Sequence, residues 1–484
     1  MALPSATLDI LDGGLGLGPS PVTAIAIIGT SSSGTANDAP LITTDTTLIQ
    51  STFGAGQLVD AGCMLASAGV IVCLVKATTS TPGAAGSVTP ARVGSSDGVL
   101  ATTGNPNDAY EVIVEILSSS TDDVADGEGT FRYSLDGGDS YSTAIAINAS
   151  YTVPGAGFAL TFTNGPGPTD PTFEEGDSFT LSTTAPAYST TDLSDAYAAL
   201  VAHPQRWRFV WALGEGADGT ASATMAATLK TAIEGSTVNH RYARSLIGAA
   251  DDADADLVTA FASFVSSRVC VAAGFANTES AVKAGRYYKR SASWVTALRW
   301  ATRPISEDLG RVKTGALPRL ADRADGSSAL YRDENNTPTL NDQRFTTLRT
   351  IDGRRGYYIT EGKLMSDVGS DFELTQHGAI MDAACEVLYP AMALYVNDDL
   401  RVDASGNLDP RDANAIQQDL EGKLKDALLR TTPQHVSAVQ VVVVRDNNPL
   451  TTKTLKVKYR IQPKAYAKAI EGEISFAATL EEAA

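Results

Sequence analysis

Between Leu193 and Phe275 the chain alternates helical and strand patterns with short connections. The helical pieces are SDAYAALVAHP, ASATMAATLKTAIEG and DADLVTAFASFVSS, and the strands are RWRFVWALG, the run near RYARSLIGAA, and RVCVAAGF. Strands separated by helices of this length do not pair as hairpins. They predict a parallel sheet with helices packed on its faces. The chain opens in a related way: an apolar run, Ala24 to Ile28, enters a loop from Gly29 to Gly34, followed by a helix and the strand GVIVCLVKA. Residues 21–95 and 187–320 are therefore expected to form one α/β domain.

What separates those two stretches has another character. Residues 96–186 read as short alternating strands, AYEVIVEIL, GTFRYSLDGG, STAIAINAS and FALTFTN, broken by Gly, Pro and Asp turns, which predicts an all-β, sandwich-like insertion. It holds 14 acidic residues and one basic one, Arg132, a net of −13. The segment from Lys283 to Arg355 has the opposite balance, 15 basic against 8 acidic, a net of +7. Each stretch reads either as a solvated face or as one side of complementary contacts between copies of the chain, and the acidic insertion is expected to face outward.

The remaining third is helical and then strand-rich. One long helix, interrupted by Pro390, is expected over Thr375 to Val396. A second starts at Asp409-Pro410, an N-cap followed by a proline in the first turn, with Ile416, Leu420, Leu424 and Leu428 on one apolar face. Near the end, TKTLKVKYRI places Leu455, Val457, Tyr459 and Ile461 opposite Lys456, Lys458 and Arg460 along one strand. KAIEGEISF places Ile470, Ile474 and Phe476 opposite Glu471 and Glu473. The two are expected to pair, cations across from glutamates, leaving an open backbone edge. At the other end, residues 1–20 alternate Leu8 and Ile10 with polar neighbours and then break at GGLGLGPSP, the pattern of an extended arm with nothing local to pair with. A strand of that kind fits an open edge on another copy.

Composition and motifs narrow the function. With 37 basic and 56 acidic side chains the 484-residue chain carries −19, which disfavours nucleic acid and anionic membrane surfaces as partners. No run approaches the roughly 18 apolar residues of a membrane span, and MALPSATLDILDGG lacks the basic head and apolar core of a secretory signal. Synthesis in the cytoplasm is expected. The loop GTSSSGTAN has no lysine after its second glycine to reach a phosphate. Gly14, Gly16 and Gly18 do not follow a strand. DDADADLV has Leu257 and Ser263 where a calcium loop needs Gly and Glu. The four histidines have no metal-ligand spacing, there is no Gly-x-Ser-x-Gly elbow, and Cys63, Cys73, Cys270 and Cys385 sit in apolar contexts as reduced thiols. No catalytic residue, metal or cofactor is expected.

The order of three features, VTAIAIIGTSSSGTANDAPLITT with STFGAGQLVDAG behind it, RFTTLRTIDGRRGYYITEGKLMS, and FELTQHGAIMDAACEVLYPAMALYVNDDLRV running into the strands of Val436 to Phe476, resembles the tail sheath proteins of contractile bacteriophage tails and related injection systems, in particular the Mu-like branch. The resemblance spans about 60% of the chain and leaves the insertion outside. It implies an α/β and α+β multidomain fold with extended terminal arms and a C-terminal assembly domain over 340–484. It further implies a non-enzymatic subunit, assembled in a host bacterial cytoplasm into a helical or stacked hexameric sheath around a tail tube, with baseplate and tail terminator proteins as partners and no membrane insertion. Contraction of a metastable assembly would drive the tube through an envelope. By this resemblance Leu8 and Ile10 interlace with the C-terminal strands of neighbours, and Arg344, Arg349, Arg354, Arg355, Lys456, Lys458, Arg460, Glu471 and Glu473 are candidate charge contacts between subunits. The alternative is another virion or surface protein, an adhesin whose β insertion binds glycans.

Overall fold

The computed structural model describes residues 24–120, 123–165, 171–445, 448–468 and 470–472. The expected arm over 1–20, with Leu8 and Ile10, lies outside them, as do Glu473, Ile474 and Phe476. The chain divides into two compact units that meet at Leu394 and Tyr395.

The first unit begins with β1 (Ile25–Gly29), β2 (Leu41–Thr43), α1 (Thr46–Phe53), α2 (Gln57–Ser67) and β3 (Val72–Lys76). An excursion follows through β4 (Ala84–Ala85), β5 (Thr89–Ala91), β6 (Val99–Gly104), β7 (Glu111–Ser118), β8 (Thr130–Ser134), β9 (Ile145–Ala146), β10 (Ser150–Thr152), β11 (Phe158–Thr163) and β12 (Ser178–Thr184). The chain then returns with α3 (Thr190–Ala202), β13 (Phe209–Ala212), α4 (Gly219–Val238), β14 (Arg244–Gly248), α5 (Asp254–Phe261) and β15 (Val269–Ala272). Side-chain caps start several of these helices: Asp45 on α1, Ser189 with Asp192 as a capping box on α3, Asp218 on α4.

Strands from before and after the excursion share one sheet, in the order β15-β14-β13-β1-β3-β2. All neighbours are parallel except β2 on β3. Parallel strands are covered on both faces and so read as continuous apolar runs. In β1, Ile25 and Ile27 pack with α1 and α2, while Ala26 and Ile28 pack with α3, α4 and α5. The first of these layers is completed by α6 (Ala292–Thr302), which follows the hairpin β16 (Phe275–Glu279) and β17 (Tyr287–Ser291). Trp300 of α6 stacks on Phe209 at 4.5 Å, and Trp294 meets Trp211 edge-on at 5.3 Å.

The excursion forms two antiparallel sheets, β10-β11-β6 and a second built on β12, β7, β8 and β9, with a common core. Along β7, Val112, Val114 and Ile116 point into this core and Glu111 and Glu115 away from it. Phe131, Phe162, Phe173 and Phe179 form a chain of ring contacts between 4.8 and 5.8 Å across it. Arg132, the lone basic residue of 96–186, pairs with Glu115 directly opposite on the neighbouring strand. The β pairing starts before Ser96, since β4 and β5 already lie against β12.

A buried ion cluster ties these sheets to the α/β body. Arg290 of β17 holds both oxygens of Asp108, at 2.6 and 2.5 Å, and reaches Asp60 of α2 at 3.3 Å. The other Asp60 oxygen accepts the Ser280 hydroxyl and the Ala281 N–H. All three charged side chains are almost inaccessible to solvent. Burial holds the Asp60 carboxyl above the usual carboxylate range, more than Arg290 pulls it down. Because the folded state binds that proton more tightly, this group's contribution to stability is greatest in acid and is lost as pH rises through its folded value. Arg290→Met should therefore cost about 3–5 kcal/mol at neutral pH by leaving buried carboxylates without their cation. The deficit should shrink on acidification as Asp60 takes up a proton; urea unfolding at stepped pH, followed by tryptophan fluorescence, measures both effects.

Candidate assembly surface

The second unit is built around α8 (Pro410–Leu428), following α7 (Thr375–Ala393) of the first unit. Asp409 accepts the Arg411 N–H and Pro410 occupies the first turn, as its sequence signature requires. Ala413, Ile416, Leu420, Leu424 and Leu428 are buried along one face. That face packs on β20 (Ala438–Val444), where Val441 and Val443 are buried in turn. After α9 (Pro449–Thr452), β21 (Lys456–Gln462) pairs antiparallel with β20.

Among the described residues the strand beside β21 is β20, and Lys456, Lys458 and Arg460 stand opposite the uncharged Val444, Val442 and Gln440 on that side. The expected pairing with Glu473, Ile474 and Phe476 lies outside the described residues. Ile470 and Glu471 are exposed and belong to no strand. Val457, Tyr459 and Ile461 are half-buried and the three cations exposed, so the side-chain alternation expected of this strand is present; Leu455, just before it, is half-buried as well. Burial raises the Tyr459 hydroxyl above its ordinary pKa, and that oxygen has no hydrogen-bond partner among the described residues.

The two edges of this ribbon differ. On β20, the N–H groups of Val441 and Val443 turn away from β21 and donate to side chains of α8, Glu421 at 3.3 Å and Gln417 at 3.4 Å. Residues directly opposite in an antiparallel pair share their bonding direction. Tyr459 and Val457, opposite Val441 and Val443, therefore turn their own N–H and C=O groups outward along the far edge of β21, and Ile461 follows at the same period. No sequence signal marks the Gln417 and Glu421 contacts, because their i, i+4 spacing is that of any exposed helix face. Lys425 beside Glu421 holds that carboxyl below its ordinary range.

In the first unit, the hairpin β18 (Leu348–Ile351) and β19 (Arg354–Ile359) carries Arg354 and Arg355 exposed just past its turn, with Arg349 half-buried. Arg344 is committed internally: its guanidinium donates to the carbonyls of Phe264 and Met365 at 3.0 and 3.2 Å. Much of the basic segment is spent in the same way, Arg332 on Asp254 and Glu334, Arg311 on Glu307, Lys289 on Asp251. The early loop is likewise self-satisfied. Ser32 and Ser33 N–H groups bond to the carbonyls of Ala55 and Phe53, and the Ser32 hydroxyl accepts from Ala55, pinning the loop to the Phe53-Gly54 corner between α1 and α2.

A family model described as DUF2586, N-terminal domain, matches residues 3–363. The chain belongs to the DUF2586 family. Among solved structures, this DUF2586 chain is similar to one in the cryo-EM structure of the anti-feeding prophage baseplate in the contracted state, at 10% identity and TM-score 0.51 over 98% of both chains. It also resembles the sheath tail protein Lin1278 from Listeria innocua, at 10% identity and TM-score 0.44 over 92% of this chain and 96% of that one. A third likeness is to the sheath complex of the extracellular contractile injection system PVC in its contracted state, at 11% identity and TM-score 0.42 over 63% and 77%. No curated protein matches the chain. The DUF2586 chain thus shares a mixed α/β, multi-sheet fold with a component of a contracted baseplate assembly.

Replacing Gln417 and Glu421 together by alanine should leave two β20 N–H groups without acceptors, costing about 0.5–1.5 kcal/mol each. Faster hydrogen exchange at Val441 and Val443, with α8 still protected, is the expected signature.

Proposed function

We propose that this DUF2586 chain is the structural subunit of a contractile tail sheath, in the order of sequence features closest to the Mu-like branch. It polymerises with itself, helically or as stacked hexameric rings, around a tail tube, and engages baseplate and tail terminator proteins at the ends. Contraction of the metastable extended assembly drives the tube through the target envelope, and no bound nucleotide is needed. Assembly takes place in the host bacterial cytoplasm, and the mature site is the virion tail.

The observation that carries this reading is the fold shared over 98% of both chains with the contracted baseplate component. The far edge of β21, unpaired among the described residues, supports it: the N–H and C=O groups of Val457, Tyr459 and Ile461 on that edge suit one incoming strand, and residues 6–12 of a neighbouring copy have the matching alternation. On this reading Ile470, Ile474 and Phe476 extend the apolar contact. Exposed Arg354, Arg355, Lys456, Lys458 and Arg460 supply charge contacts to acidic surface on adjacent copies, with Glu471 and Glu473 as counterparts. The acidic β sheets of the excursion face outward. Among the described residues no helix is long and apolar enough to cross a membrane.

Strand addition makes a positional prediction. Proline at Val457, whose N–H points outward, should leave the β20–β21 ladder intact and abolish long polymers. Proline at Lys458, whose N–H faces β20, should disrupt the ribbon itself. Negative-stain electron microscopy and circular dichroism separate the two. Deleting residues 1–15 should also yield folded protein without tubes or rings, and normal polymers from that deletion would remove the arm from the assembly. Tubes that persist without residues 96–186 are expected if those sheets are peripheral.

A further inference from the structure

Three apolar side chains of α7, Met381, Tyr389 and Met392, are exposed, and so is its C-cap residue, Leu394. Cys385, half-buried, falls between them. Spacings of four, four and three residues put Met381, Cys385, Tyr389 and Met392 on one side of the helix. His240 covers one face of the Tyr389 ring, stacked at 3.7 Å, and the stripe has no other aromatic contact among the described residues.

Ion pairs fix the path of this helix. Arg244, which opens β14, donates to the Gly378 carbonyl at 2.8 Å and to Asp382 at 2.7 Å, and Arg268, just ahead of β15, reaches the same carboxylate at 3.1 Å. One turn later Glu386 accepts from Arg206, ahead of β13, at 2.6 Å. The helix therefore crosses the amino ends of the strands in sheet order, and β1 lies next to β13. A strand spacing of about 4.8 Å corresponds to roughly three residues of helix rise, so the turn from Tyr389 to Met392 arrives at the start of β1. There the Ala24 carbonyl accepts the Arg208 N–H at 2.8 Å, and residues 1–23 precede it in the chain.

Residues 13–23, GGLGLGPSPVT, carry no charge. Their apolar side chains are Leu15, Leu17 and Val22, and Pro19 and Pro21 favour an extended backbone of roughly 3.1 Å per residue. The run from Leu17 to Val22 then covers about the same length as α7 from Met381 to Met392, roughly 16 Å. Asp382 and Glu386, the carboxylates bordering the stripe, are bonded to arginines, so the stripe calls for apolar contact rather than a countercharge. We propose that residues 15–22 of the same chain lie along it, Val22 at Met392 and Leu17 toward Met381. The contact is internal to one chain, so it goes beyond the sheath reading and does not depend on strand exchange between copies. Its consequence is directional: residues 6–12 leave the body from the Met381 end of α7.

Methionine oxidation in the full chain tests this. Hydrogen peroxide converts accessible methionines to sulfoxides, which peptide mass spectrometry counts at each position. Leu17→Asp combined with Val22→Asp should oxidise Met381 and Met392 about threefold faster or more than in the unaltered chain, while Met64 and Met365, buried in the body, keep their rates. Equal rates at Met381 and Met392 in the two proteins would overturn the proposal. So would protection in the unaltered chain that disappears on dilution, which assigns the stripe to a second copy. Gly18→Cys decides the matter should the double variant also expose Met64. Mild oxidation should join that cysteine to Cys385 within one chain, the other native cysteines being buried, and a bond that is absent or forms only between chains overturns the assignment. Polymers are scored separately by microscopy, so failure here and failure of the sheath reading are distinct results.

Discussion

Burial of one parallel sheet on both faces is the constraint from which the rest of the first unit follows. Every position of β1, β13, β14 and β15 is inaccessible to solvent, so both side-chain directions must be apolar or internally bonded. Each fully buried aliphatic or aromatic residue contributes about 1.5–3 kcal/mol, and two helical layers are needed to collect that gain from both faces. Charge is thereby pushed to strand ends and connections. Where a charge remains inside, it is bonded, as with Arg244 of β14 held by Asp382 at 2.7 Å. The long excursion is compatible with this core because it leaves after β3 and re-enters at α3, and neither event breaks a strand of the sheet.

Much of this is legible in the residues themselves. The helix and strand alternation after Leu193 predicts the parallel sheet, and the Asp409-Pro410 pair places the start of α8, because both are local signals with a single physical reading. The excursion is legible as β from its period-2 runs, but its first strands are not: Ala84–Ala85 and Thr89–Ala91 are too short to show a period and exist only because β12 pairs with them. Residues 303–347 contain little regular structure and are held by arginine-to-carbonyl and arginine-to-carboxylate contacts that no sequence pattern announces. On the assembly surface, the alternation of β21 is readable and its partner is not. The strand beside it, β20, is placed by packing on α8, which no alternation within β21 records.

Electrostatics show a similar gap between composition and role. The basic excess of Lys283 to Arg355 looks like a surface for partners, yet most of its guanidinium groups stitch the first unit together. Arginine suits that work, since its planar fork satisfies several acceptors at once and keeps its charge under desolvation. Arg290 illustrates the balance: burial pulls its pKa down, and Asp108 and Asp60 more than reverse the effect. Net charge over a stretch therefore says little about how much of it reaches solvent, whereas Arg354 and Arg355, at the tip of a hairpin, do reach it.

The ribbon of β20 and β21 is asymmetric in a way that bears on the proposed joining of copies. Its β20 edge is filled by side chains of its own helix, and its β21 edge is unpaired among the described residues. In the language of polymer chemistry, a ribbon with one unfilled edge has a valence of one. A two-edged ribbon would be divalent and prone to branching or to open-ended sheet growth between copies. A monovalent one pairs once and is then saturated, so connectivity among many copies grows as a count of discrete links rather than as a spreading sheet.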